Sequence, residues 1–97
     1  MSQEAFNTAR SAILSLKQHR ATPINPLGFE FVDTHVLHFP NGAHHLGATF
    51  QELKGAPEVV RVRTSNWRFE DEVDAVFTRE EAREMYRKLV RVGFVAF

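Results

Sequence analysis

"THVLHFPNGAHHLG", Thr34 to Gly47, holds four of the chain's five histidines around a single Asn-Gly pair. Asn41 and Gly42 both tolerate the positive φ that a tight two-residue turn demands, so the stretch predicts a β-hairpin. With those residues as the turn, Phe39 faces His44, His38 faces His45, Leu37 faces Leu46 and His35 faces Ala48. Side chains alternate along a strand, so this register sorts the hairpin into two faces. Phe31, His35, Leu37, Phe39, His44, Leu46, Ala48 and Phe50 share one, which is apolar enough to meet a core. Thr34, Val36, His38, His45, Gly47, Thr49 and Gln51 share the other.

Upstream, the alternation extends back to Phe29, with an irregularity expected at Asp33-Thr34, and "ATPINPLG" (21–28) is a crossing loop because its prolines exclude a helix. Residues 3 to 19 read as an amphipathic helix capped by Ser2, with Ala5, Phe6, Ala9, Ala12, Ile13 and Leu16 in one arc. The alanines make a small-residue stripe that permits close approach to the sheet or to a second copy of the chain.

Downstream, "ELKGAPE" (52–58) reads as a loop, and "VVRVRT" and "WRFEDEVDAVF" as two strands turning at Ser65-Asn66. That turn places Val62 opposite Phe69, Arg61 opposite Glu70 and, unfavourably, Arg63 opposite Arg68. Thr78 to Glu81 form a capping box, with Phe77 and Ala82 as its staple. The helix it opens runs to Val92, with Ala82, Met85, Tyr86, Leu89 and Val92 on one face and Gly93 as the residue that ends it. The final "FVAF" should be buried, as an edge strand or against a neighbouring subunit. The expected fold is α+β: a four-stranded antiparallel sheet with N-terminal and C-terminal helices packed on one face, in the order α-β-β-β-β-α. Phe31, Leu37, Leu46, Phe50, Val60, Val62, Phe69 and Val73 would supply most of the sheet's share of the core.

Composition bounds the function. Ninety-seven residues make one domain, and 43% hydrophobic content with nine phenylalanines suffices for a single core. Without cysteine there is no disulfide framework, and a zinc site would have to use histidine and carboxylate alone. No window is long and apolar enough for a membrane span, so a cytoplasmic protein with no membrane partner is expected. Twelve basic residues balance twelve acidic ones, which removes the long-range field of a dedicated nucleic-acid binder.

Several constellations could carry chemistry. Opposed His38 and His45 would stand close enough to share a metal ion or a proton, but His35 and His44 point to the other face, and two ligands fall short of a zinc site. No metal site is expected. His35 lies on the apolar face with Asp33 two residues earlier, an arrangement in which the carboxylate could orient the imidazole for general-base work. Those two residues are the catalytic candidates. His38, His45, Tyr86 and Trp67 are the candidates for ligand contact.

Arg79, Arg83, Arg87 and Arg91 recur at i+4 and could grip phosphates or an acidic partner, although Glu80, Glu81 and Glu84 interleave with them as on an ordinary solvated helix face. The element order is similar to that of double-stranded RNA-binding domains. Those domains open their last helix with lysines against phosphates, where this chain has Glu80 and Glu81, so the family is not carried over and nucleic acid is not expected as a partner. No phosphate loop, dinucleotide fingerprint or hydrolase motif is present, and no cofactor is expected. The expectation is a binding or interaction module rather than an enzyme, a homodimer with a small ligand or protein as its partner. The alternative is a small-molecule binder or small enzyme with a pocket lined by His35 and Asp33.

Overall fold

The structure, a computed structural model, describes residues 3–40, 44–68 and 71–96. The Ser2 cap, the Asn41-Gly42 turn, Phe69, Glu70 and Phe97 lie outside the described residues. Helix α1 spans Gln3–Ser15 and tightens into a 3-10 turn at Leu16–Gln18; a second 3-10 turn lies at Pro26–Gly28. Strands β1 (Phe31–His38), β2 (Leu46–Leu53), β3 (Ala56–Asn66) and β4 (Asp74–Thr78) follow, then α2 (Arg79–Arg91) and β5 (Val95–Ala96). The sheet is antiparallel with strand order β4-β3-β2-β1-β5. The α+β class stands, but the sheet has five strands rather than four.

The fifth strand arises from the way α2 stops. Gly93 sits at φ +112°, a left-handed conformation that costs glycine nothing. Its N–H donates to the Val90 carbonyl at 3.1 Å and the Phe94 N–H to the Leu89 carbonyl at 3.0 Å, the paired bonds of a Schellman motif. The reversal buries Phe94 beside Leu89 and returns Val95 and Ala96 antiparallel to His38 and Leu37. Only part of "FVAF" is therefore buried: Phe94 enters the core, while Val95 and Ala96 pair along an exposed edge.

At its N-terminus α2 is capped as the sequence predicts, with Thr78 Oγ1 accepting the Glu81 N–H at 3.2 Å. The Glu81 carboxylate is used elsewhere. It meets His19 Nδ1 at 3.3 Å and ties the end of α1 to the start of α2.

Two hairpin registers differ from expectation, both by even numbers of residues. Leu37 pairs with Ala48 rather than Leu46, His38 with Gly47 rather than His45, and His35 with Phe50 rather than Ala48. Pro40 has no N–H to give the ladder, so pairing ends where the Phe39 N–H meets the Leu46 carbonyl at 3.0 Å. Between β3 and β4, Val62 meets Ala75 rather than Phe69, and Arg63 meets Asp74 rather than Arg68. Thr64 closes this wider connection, its N–H donating to the Val73 carbonyl and its hydroxyl accepting the Val73 N–H, both at 2.9 Å. Inside it Asn66 accepts the Arg68 N–H at 2.8 Å and donates to Glu72 at 3.2 Å. Opposite charges replace the expected Arg–Arg clash, which favours this register.

"ELKGAPE" is not a long loop: β2 and β3 run through it to a two-residue turn at Lys54-Gly55, where Gly55 takes φ +87°. The described part of β1 is shorter than the Phe29–Phe39 expected.

Both helices pack their apolar stripes into one cluster with the sheet. Phe6, Ala9, Ala12, Ile13 and Leu16 of the α1 segment and Ala82, Met85 and Leu89 of α2 meet Leu37, Leu46, Phe50, Val60, Val62 and Val73. Phe31 does not join them. One extra residue in β1 between Asp33 and His35 reverses the alternation, and Phe31 packs on a second cluster with Leu53, Ala56, Val59 and Val76, together with Ile24 of the crossing loop and Phe29 just after it. That loop also reaches the outer edge of β4, where the Thr22 N–H donates to the Val76 carbonyl at 2.7 Å.

Candidate functional site: a groove at the β1 bulge

Asp33 pairs with Gln51 and His35 with Phe50, so Thr34 has no partner of its own on β2. Its hydroxyl donates to the Phe50 carbonyl at 3.1 Å. A threonine hydroxyl has one proton, so its remaining contact, 3.3 Å from His35 Nδ1, is one in which Thr34 accepts and His35 donates. In the neutral imidazole this contact favours the tautomer with hydrogen on Nδ1 and the lone pair on Nε2. The bulge thus positions the histidine without a carboxylate.

Helix α2 crosses the same face of the sheet. Between them lies a groove of about 360 Å³ whose apolar lining is Phe50, Val60 and Ala82. Tyr86 stands edge-on to both His35 and Phe50, with ring centroids 5.2 and 5.7 Å apart. Among the described residues Arg79, Arg83 and Arg87 line the groove with a single carboxylate, Glu52, a surplus of two positive charges. Arg79 is engaged: its guanidinium donates to the Glu52 carboxylate and to the Pro57 carbonyl. Arg83 and Arg87 are exposed, and among the described residues no carboxylate forms an ion pair with either.

The outer face of the sheet disposes of its arginines differently. Arg61 donates two bonds to the Asp74 carboxylate, at 2.8 and 2.9 Å, and lies over the Phe31 ring at 4.6 Å. The Asp74 hydrogen bonds push the Arg61 guanidinium still further above its ordinary pKa. Arg63 meets Asp71 at 3.1 Å and Asp74 at 3.6 Å.

The structure separates the two catalytic candidates. Asp33 lies on this outer face, where its carboxylate accepts from Gln51 Nε2 at 2.8 Å and lines a polar depression with Thr49, Arg63, Ser65 and Asp71. His35 lies in the groove on the helix side. The bulge is the cause, because an inserted residue turns the next side chain to the opposite face.

The histidines expected to face each other do not. His38 lies opposite Gly47, and the His45 ring lies over that glycine, with Nε2 2.9 Å from the Ser65 hydroxyl. A Cβ at position 47 would come within 3.2 Å of the imidazole, so the exposed His45 ring would have to give by a few tenths of an ångström. His44 tilts against Trp67 with centroids 5.0 Å apart, and the Arg10 guanidinium lies 5.0 Å from the Trp67 ring. Trp67 begins no strand; it sits in the β3–β4 connection and packs on the main core. Among the described residues no three His, Asp or Glu side chains gather where they could hold a metal ion.

Of the residues proposed for ligand contact, only Tyr86 lines the groove with His35. Sequence reasoning missed Thr34, Phe50 and the arginines as its companions. The arginine row carried a usable signal, since Arg79, Arg83 and Arg87 run beside the apolar face of α2 on the side of Tyr86. The chain matches no protein-family model, and no curated protein or solved structure matches it. No helix among the described residues is long and apolar enough to cross a membrane.

Proposed function

We propose that this protein is a binding module that seats a small molecule in the groove between α2 and strands β1 to β3. The observation that carries the reading is the groove itself: about 360 Å³, partly apolar, with His35, Tyr86 and two uncommitted arginines along it. Small-ligand sites are concave, mostly apolar and carry a few placed polar groups, in volumes from roughly 300 Å³ upward. Binding is favoured over catalysis because His35 is oriented by a hydroxyl, Asp33 faces away, and the one carboxylate along the groove is committed to Arg79.

Titration of the isotope-labelled protein with a library of single-ring fragments tests this. Amide shifts should converge on Thr34, His35, Phe50 and Tyr86; shifts converging elsewhere, or none, would sink it.

A second reading, self-association, rests on β5. It is the outermost strand, and its Val95 is 43% exposed. Ala9, Ala12 and Phe94, the other apolar features that suggest a dimer, are buried within one chain. Sedimentation showing a dimer at concentrations on the order of tens of micromolar supports this reading, and a strict monomer overturns it.

A further inference from the structure

We infer that the ligand of this groove is an oxyanion: a molecule with one flat apolar ring and a carboxylate or phosphate group that Arg83 and Arg87 hold together. The inference rests on the reading of the groove as a small-molecule site and adds the chemistry of what enters it. Arg83 and Arg87 stand one helical turn apart, a spacing that brings their Cβ atoms within about 6 Å, so two planar guanidinium forks can address one anion. Among the described residues neither forms an ion pair. Among the described residues of the sheet and α2, Arg61 and Arg63 have aspartate partners and Arg79 has Glu52, while Arg91, which also forms no ion pair, does not line the groove.

The acidic residues that interleave along α2 do not cancel this charge within the groove. Glu81 is turned to His19, and neither Glu80 nor Glu84 belongs to the lining. A neutral or cationic ligand would leave the two exposed guanidinium groups paired only with water, whereas an anion gains charge-assisted hydrogen bonds from both.

The rest of the lining argues for a ring attached to the anion. Phe50, Val60 and Tyr86 offer apolar and aromatic surface beside the arginines, and Tyr86 is already edge-on to two neighbours, the geometry in which another ring packs. The volume lies near the lower end of ligand sites, which suits one ring and not a polymer. With hydrogen on its Nδ1, His35 offers the Nε2 lone pair to a hydroxyl of the ligand.

Benzoate, phenyl phosphate, inorganic phosphate, benzyl alcohol and benzylamine, each titrated against the intact protein by amide and side-chain shifts, form the test. Benzoate or phenyl phosphate should bind about tenfold or more tightly than benzyl alcohol, with benzylamine weakest, and the tighter of the two acids names the anion. The double variant Arg83→Gln/Arg87→Gln should remove that preference and leave benzyl alcohol unaffected; both positions are exposed, so the fold tolerates the change. Arg83→Lys keeps the charge and should recover only part of the affinity.

If benzyl alcohol matches benzoate at the groove, or the double variant keeps the preference, the anion inference fails while the small-molecule reading survives. Inorganic phosphate binding as tightly as phenyl phosphate would overturn the ring. If no probe shifts Thr34, His35 or Tyr86, both fall.

Discussion

Two faces of one sheet treat the same side chain in opposite ways. On the outer face Arg61 and Arg63 project beside Asp74 and Asp71, and each guanidinium is neutralised at hydrogen-bond distance. On the helix side Arg83 and Arg87 border a groove whose one carboxylate among the described residues, Glu52, already belongs to Arg79. Paired charges on the outer face fix a strand register, because Arg63 opposite Asp74 is what replaces the clash with Arg68. The charges of Arg83 and Arg87 form no ion pair among the described residues, and the proposed oxyanion would be their counter-charge.

The hardest break in this comparison is to remove the packing that holds α2 over the sheet. Leu89 is fully buried in the main core, and Leu89→Ala should cost about 2–5 kcal/mol, read as a lower denaturant midpoint. The groove should go with it, while the Arg61–Asp74 pair, carried by β3 and β4 alone, outlasts any local loosening of α2 in hydrogen exchange.

The comparison sharpens when equivalent arginines are removed from each face. Arg61→Ala should lower stability by about 1–2 kcal/mol, because it strips Asp74 of a two-bond partner and uncovers Phe31. Arg83→Gln should stay within about 0.5 kcal/mol of the parent, having no ion pair among the described residues to lose. Equal losses in paired denaturation curves would erase the distinction between structural and spare arginines.

The smallest effect concerns a carboxylate that holds the β3–β4 connection to α1. Glu72 is kept below the usual carboxylate range chiefly by the hydrogen bond from Lys17, 3.2 Å away, with Asn66 contributing. A folded-state pKa below the unfolded one gives stability that is fully present above the unfolded value and is lost as pH falls through the folded one. Glu72→Gln should therefore flatten part of the acid limb of the stability profile and leave the slope near neutral pH unchanged. A full acid limb in the variant would show that the pair contributes nothing.

Much of the fold was legible because helix ends and strand faces are written in local chemistry. Thr78 and Glu81 open α2, Gly93 closes it, and the alternation from His35 to Phe50 names the core side even though the hairpin register differs by two residues. An even shift leaves every side chain on its own face, which is why Leu37, Leu46 and Phe50 reach the core despite the different partners. The shift at the bulge is odd, and there the sequence reading of Phe31 and of Asp33 beside His35 fails. Asn66 misled for a related reason: a good turn residue by composition, it organises a wider connection once its side chain finds Arg68 and Glu72.

The sequence by itself therefore determined both helices, four of the five strands, most of their apolar sides and a histidine on the face that α2 covers. Only the tertiary structure decided what that histidine meets. Local propensity acts over a few residues, whereas the groove joins Thr34 and His35 to Arg83 and Arg87 across the chain through one inserted residue and the packing of α2. A single-residue insertion changes little locally, yet it inverts which side chains share a face, and that inversion put Asp33 on one side of the sheet and His35 on the other.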